Sequence, residues 1–221
     1  MKHTFGLAAA VALGLGTIQA QGQSVLYNFS DGTADGWANS GFSPTPAAVV
    51  QTIGSQNYIN IPLGGFQVAN VQTGAAGNLP TFTAAMQAAA ANPAGYNISY
   101  NYVINTAGFS GATYLQLSTY VNENNGYYAQ DAANEVALTG TQLASGGIFF
   151  GTVTINMGAV GFTGMSPTDT GYKLGLIENG NGTGVSVDYT HISVAPVPEP
   201  ASLALIGLGM AGLMVIRRRN S

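Results

Sequence analysis

The chain is a succession of short β-branched and aromatic runs, SVLYNF, AAVVQTI, QNYINI, YNISYNYVI, ATYLQLSTYVN, GIFFGTVTIN, GYKLGLI and GVSVDYTHISV, separated by clusters of Gly, Asn, Pro and Ser. Short runs of this composition favour strands, and the turn residues between them fold the chain back on itself, so the pattern specifies an all-β sandwich or barrel. One stretch breaks it. TFTAAMQAAAAN has an alanine-rich body, Thr81 or Thr83 as caps and Asn92-Pro93 as a stop, and reads as a single short helix. At 221 residues there is room for one core with an extension at each end.

Charge is scarce: Asp, Glu, Lys and Arg together make up 6% of the chain. Between Gln21 and Pro196 the acids are Asp31, Asp35, Glu123, Asp131, Glu135, Asp169, Glu178 and Asp188 against Lys173 alone, so one base and eight acids give a formal charge of −7. Phosphate binding needs clustered Lys and Arg, which excludes nucleic acid as a partner of this segment. The absence of cysteine removes disulfides, thiolate metal sites and a cysteine nucleophile. Burial alone must hold the body together.

Both ends carry addresses. Lys2, the apolar run from Phe5 to Ile18 and the small Ala20 have the layout of a secretory signal peptide, residues 1–20. At the other end, residues 201–216 are uncharged and apolar, bounded by Pro200 and by Arg217, Arg218 and Arg219. A helix over these residues reaches about 24 Å against a bilayer core of about 30 Å, and is expected to span with help from its flanks. The arginines then lie on the cytoplasmic side, leaving the body, residues 21–195, outside. Pro198, Glu199 and Pro200, followed by that run and the basic tail, resemble the PEP-CTERM sorting signal of exopolysaccharide-producing Gram-negative bacteria, here residues 196–221. The resemblance implies exosortase as a partner, a membrane-held precursor before processing, and delivery to the cell envelope, the surface or the extracellular matrix.

Within the body, Asn125-Gly126 predicts a two-residue type I′ hairpin, pairing Asn124 with Tyr127, Asn122 with Ala129 and Tyr120 with Asp131. Alternation then sends Leu115, Leu117, Thr119 and Val121 to the core. The opposite face collects Tyr114, Gln116, Tyr120, Asn122, Tyr127 and Asp131. Flat rings beside amides and a carboxylate suit a saccharide, whose C–H faces stack on aromatics while its hydroxyls need donors and acceptors. These residues are the candidate glycan contacts.

YNFSDGTADGW, with Asp31 and Trp37, resembles the opening strand of jelly-roll carbohydrate-binding modules, and GVSVDYTHISV resembles their closing strand. The resemblance implies a β-sandwich of jelly-roll type, extracellular polysaccharide as a partner, no required cofactor, and a structural calcium ion shared by Asp31 and Asp188. Trp37 is expected in the core. The sequence offers no catalytic constellation: His191 and Asp188 are separated by an odd number of strand positions, and Glu123, Glu135 and Glu178 stand in no motif. The expectation is an exported, non-enzymatic, structural or adhesive protein. A surface-attached glycan hydrolase is the competing reading.

Overall fold

The computed structural model describes residues 24–39, 49–62, 66–111, 113–133, 135–182, 184 and 186–198. The expected signal peptide lies outside these residues, as do Glu199, Pro200 and the arginine tail. The expected membrane-spanning helix needs correction. Among the described residues no helix is long and apolar enough to cross a membrane, and residues 201–216 are not among them. That run was already shorter than a bilayer core. The transmembrane helix and the membrane as a partner are therefore withdrawn.

Residues 23–196 form one compact unit. Its strands are β1 Val25–Tyr27, β2 Ala38–Asn39, β3 Val49–Ile53, β4 Gln56–Pro62, β5 Phe66–Gln72, β6 Tyr96–Asn105, β7 Tyr114–Glu123, β8 Tyr128–Gln130, β9 Val136–Thr139, β10 Ile148–Asn156, β11 Tyr172–Gly180 and β12 Ser186–Pro196. Two antiparallel sheets result. The first has the order β10-β6-β12-β4-β3, with β1 also on β12; the second has β2-β5-β11-β7-β8, with β9 also on β7. Strand β1 pairs with β12, so Val25 faces Val194 and Tyr27 faces Ile192.

The core follows from alternation. Tyr96, Ile98, Tyr100 and Ile104 point inward from β6, and Leu115, Leu117 and Val121 from β7; all are buried. The expected helix is α1, Phe82–Ala91, and buries Phe82, Ala85, Met86, Ala89 and Ala90, the i, i+3, i+4 stripe of a core-facing helix. It begins at Thr81, whose side chain makes no capping bond, and ends at Asn92. Trp37 is buried and meets Tyr27 edge to face, with ring centroids 5.5 Å apart. A further helix, α2 Gly140–Leu143, is one turn long, and its capping box joins Thr139 to Gln142.

The β7–β8 hairpin is not the two-residue turn expected. Glu123 N–H donates to Tyr127 O at 2.9 Å, so the loop is Asn124-Asn125-Gly126, and Gly126 sits at φ +94°. Such three-residue loops close with a bulge at the left-handed residue. The amides decide the register. Asn125 Oδ1 takes the Tyr127 N–H at 2.8 Å, and Asn124 N–H turns away to Gly171 O at 2.9 Å, so neither remains for the shorter turn. Strand β8 shifts by one residue, pairing Asn122 with Tyr128 and Tyr120 with Gln130. A shift of one residue exchanges the two faces. Gly126→Ala, with open space for a Cβ but a positive φ, is expected to cost about 1 kcal/mol in chemical denaturation.

Candidate functional site

The outer face of the second sheet is built from alternate residues of four strands. Strand β5 contributes Phe66, Val68 and Asn70; β11 contributes Lys173, Gly175, Ile177 and Asn179; β7 contributes Tyr114, Gln116, Ser118, Tyr120 and Asn122; and β8 contributes Tyr128 and Gln130. None of these is an acid. Tyr120 stands opposite Gly175, and a Cβ on that glycine would run into the tyrosine ring. The ring therefore covers the bare backbone of the central strand. Val68, Ile177 and Phe66 pack around it.

Tyr128 continues this surface: its ring centroid lies 5.6 Å from that of Tyr120, with the planes 31° apart. Tyr128 is 54% exposed and Tyr114 37%, whereas Tyr120 is 7% exposed. The accessible rings are thus Tyr128 and Tyr114, with Tyr120 as the floor beneath the first. Burial, and then its neighbour Tyr128, pushes the Tyr120 phenol well above the ordinary tyrosine value, so it stays a neutral donor. Polar side chains frame the rings. Tyr128 Oη donates to Gln130 Oε1 at 3.0 Å, Gln130 Nε2 to Ser118 Oγ at 3.1 Å, and Asn179 Nδ2 to Gln116 Oε1 at 3.2 Å.

Of the expected glycan contacts, Tyr114, Gln116, Tyr120 and Asn122 share this face, and Tyr127 and Asp131 do not. Tyr127 packs against the main core, and its hydroxyl donates to Gly161 O and accepts from Gly164 N, each at 3.3 Å. Asp131 is buried, with its N–H on Thr119 O at 2.9 Å and its Oδ1 taking Ala133 N–H at 3.0 Å. Tyr128, Gln130 and Lys173 occupy the face instead. The Asn-Asn-Gly sequence, in place of a bare Asn-Gly, was the signal for the longer loop and so for Tyr128.

Asp31 and Asp188 keep separate company. Asp31 is exposed and accepts the Thr33 N–H at 2.9 Å, and Thr33 lowers its carboxyl below the usual range. Asp188 lies on the outer face of the first sheet, buried, and its Oδ1 receives Nδ2 of Asn60 at 2.6 Å and Nε2 of Gln51. Burial raises its pKa, against these two amide bonds. Amide N–H groups aimed at a carboxylate are no shell for calcium, which takes six to eight oxygens. Among the described residues no group of three or more His, Asp or Glu side chains is arranged to hold a metal.

Other acids are buried between the sheets. Glu178 points inward from β11 at 0% exposure, near the hydroxyl of Tyr189, itself fully buried. Glu135 lies near Thr119, and Tyr100 meets Tyr189 edge to face at 5.6 Å. Neither the Glu178–Tyr189 nor the Glu135–Thr119 pair closes to hydrogen-bond geometry. Burial raises the Glu178 carboxyl well above its ordinary value and pushes that of Glu135 up to about 7. Glu123 is also buried, with Oε1 on Ser166 N–H and Oε2 on Asn125 Nδ2, both at 2.8 Å. These acids are built into the interior and do not line an open cleft. His191 is exposed at φ +50° in a bulge of β12.

Residues 196–219 match the family described as the PEP-CTERM protein-sorting motif. The chain carries an exosortase sorting signal. The motif marks an exported protein sorted to the cell envelope or surface. No curated protein sequence matches the chain. Among solved structures, the body is similar to a carbohydrate-binding module specific for non-crystalline cellulose, CBM28, at 14% identity and a TM-score of 0.51, covering 78% of this chain and 95% of that one. It is also similar to the CBM22-1 xylan-binding domain of Paenibacillus barcinonensis Xyn10C, at 12% identity and a TM-score of 0.46, covering 82% and 100%. The first likeness is one of fold: the body is a two-sheet β-sandwich that resembles that module.

Proposed function

We propose that this sorted protein is a structural or adhesive component of a polysaccharide-rich layer, and that it holds glycan on the outer face of its second sheet. The observation that carries the reading is the tyrosine pair laid over Gly175: a broad apolar platform ringed by amide and hydroxyl groups, on a face without carboxylates. Such a surface matches the two sides of a sugar ring, one apolar and one hydrogen-bonding. Binding is favoured over hydrolysis because glycoside cleavage uses two carboxyl groups about 5 to 9.5 Å apart across the sugar, and this face offers none.

Affinity electrophoresis of the full-length chain in gels cast with a panel of neutral and acidic polysaccharides tests the proposal. Retardation by at least one polymer is expected. Tyr128→Ala is expected to weaken it about tenfold, the worth of one stacking contact. Retention unchanged in Tyr128→Ala would move the contact surface elsewhere.

A further inference from the structure

We infer that the glycan taken by this face is acidic, and that Lys173 pairs with its carboxylate. The inference rests on the glycan-binding reading and adds the chemical class of the ligand. Its basis is the distribution of charge. Lys173 is the only cationic residue among the described ones, and alternation along β11 places it on the face that carries Tyr120 and Tyr128. No described side chain is paired with its ammonium group.

The described acids are all elsewhere. Glu123, Asp131, Glu135 and Glu178 are turned inward, Asp188 is on the outer face of the other sheet, and Asp31, Asp35 and Asp169 are in loops. With eight acids and one base in the body, an approaching polyanion meets repulsion from most directions. The field is least unfavourable over the one strand face that has a cation and no carboxylate, and such asymmetry fixes the orientation of encounter.

The register supplies the geometry. Lys173 is opposite Asn122, which is opposite Tyr128, so the charge and the accessible ring lie two strands apart, roughly 10 Å. A polymer running across the strands can stack one sugar on Tyr128 and bring the carboxylate of a neighbouring unit to Lys173, while Asn122 bonds to hydroxyls between them. Lys173 is partly exposed and has no partner among the described side chains, so its ammonium group is left to a ligand, and a charge-assisted bond to a carboxylate would satisfy it.

The test uses the full-length chain in affinity gels containing polygalacturonate, carboxyl-reduced polygalacturonate or neutral xylan. The inference expects retention by the native uronate polymer, loss of that retention on carboxyl reduction, about fivefold weakening in Lys173→Gln and recovery in Lys173→Arg. Equal retention by the native and reduced polymers, or retention by xylan alone, overturns the acidic preference and leaves glycan binding standing. Unchanged retention on polygalacturonate in Lys173→Gln also overturns it, since the arginine tail would then be the anion-binding element. No retention on any polymer overturns both this inference and the reading beneath it.

Discussion

Replacing Glu178 by Gln is expected to stabilise the protein, by about 2 kcal/mol at pH 8, which for a body of this size raises Tm by roughly 4–8 °C. The carboxyl is enclosed between the sheets, with the Tyr189 hydroxyl nearby but outside hydrogen-bond geometry. Gln keeps the shape and an acceptor for that hydroxyl, and removes the ionisation. The direction with pH follows from proton counting. A carboxyl whose pKa is raised on folding keeps its proton in the folded state over a range where the unfolded chain has lost it. Stability is therefore greatest below the ordinary glutamate value of 4.5 and falls as pH rises towards the folded pKa. The share of Glu135 in this fall is complete by about pH 7, and Glu178, raised by its full burial, adds to the fall with the same sign. Asp35 and Asp188, also raised by burial, act with the same sign. Differential scanning calorimetry of the parent and Glu178→Gln between pH 4 and 9 measures the effect. A Tm that does not decline with pH, or an identical decline in the variant, would show that Glu178 is not held away from water.

The largest effect on binding is expected from Gly175→Val. Its side chain would occupy the space of the Tyr120 ring, so the ring must leave, and Tyr128 loses the surface on which it rests. Losing both the floor and the order of the accessible ring should weaken glycan retention by about thirtyfold or more, beyond the loss from Tyr128→Ala. Stability should change much less, because the obstacle is a movable side chain and valine favours a strand more than glycine does. Parallel affinity electrophoresis and thermal melts separate the two effects. A folded Gly175→Val chain that binds as the parent does would remove the tyrosine pair from the site.

The two-sheet body and its main helix were legible because their signals are local. Alternation along Tyr114–Glu123 fixed which side chains of β7 enter the core, and Asn92-Pro93 fixed the end of α1. The face assignment of Tyr127 and Tyr128 was not local. It depended on Asn124 preferring the carbonyl of Gly171, far along the chain, to a partner inside its own hairpin. Nor could the sequence place Glu178 inside. Its inward direction follows from the register of β11 against β5 and β7, and β5, FQVANVQ, was not among the runs that stood out as strands. Lys173 was conspicuous by rarity alone. Its proposed role as a ligand contact needed the knowledge that every described carboxylate lies elsewhere.

The pairing of β1 with β12 brings Val25 and Val194 opposite one another, so the chain enters and leaves the body at the same end. Tension transmitted through the sorting tail arrives first on β12, a strand bonded to β6 along one side and to β4 and β1 along the other. Such a pull loads the hydrogen-bond ladders lengthwise and together, instead of peeling one strand from an edge. In the adhesive role proposed above, this arrangement would let the body stay folded under a pull from its tail.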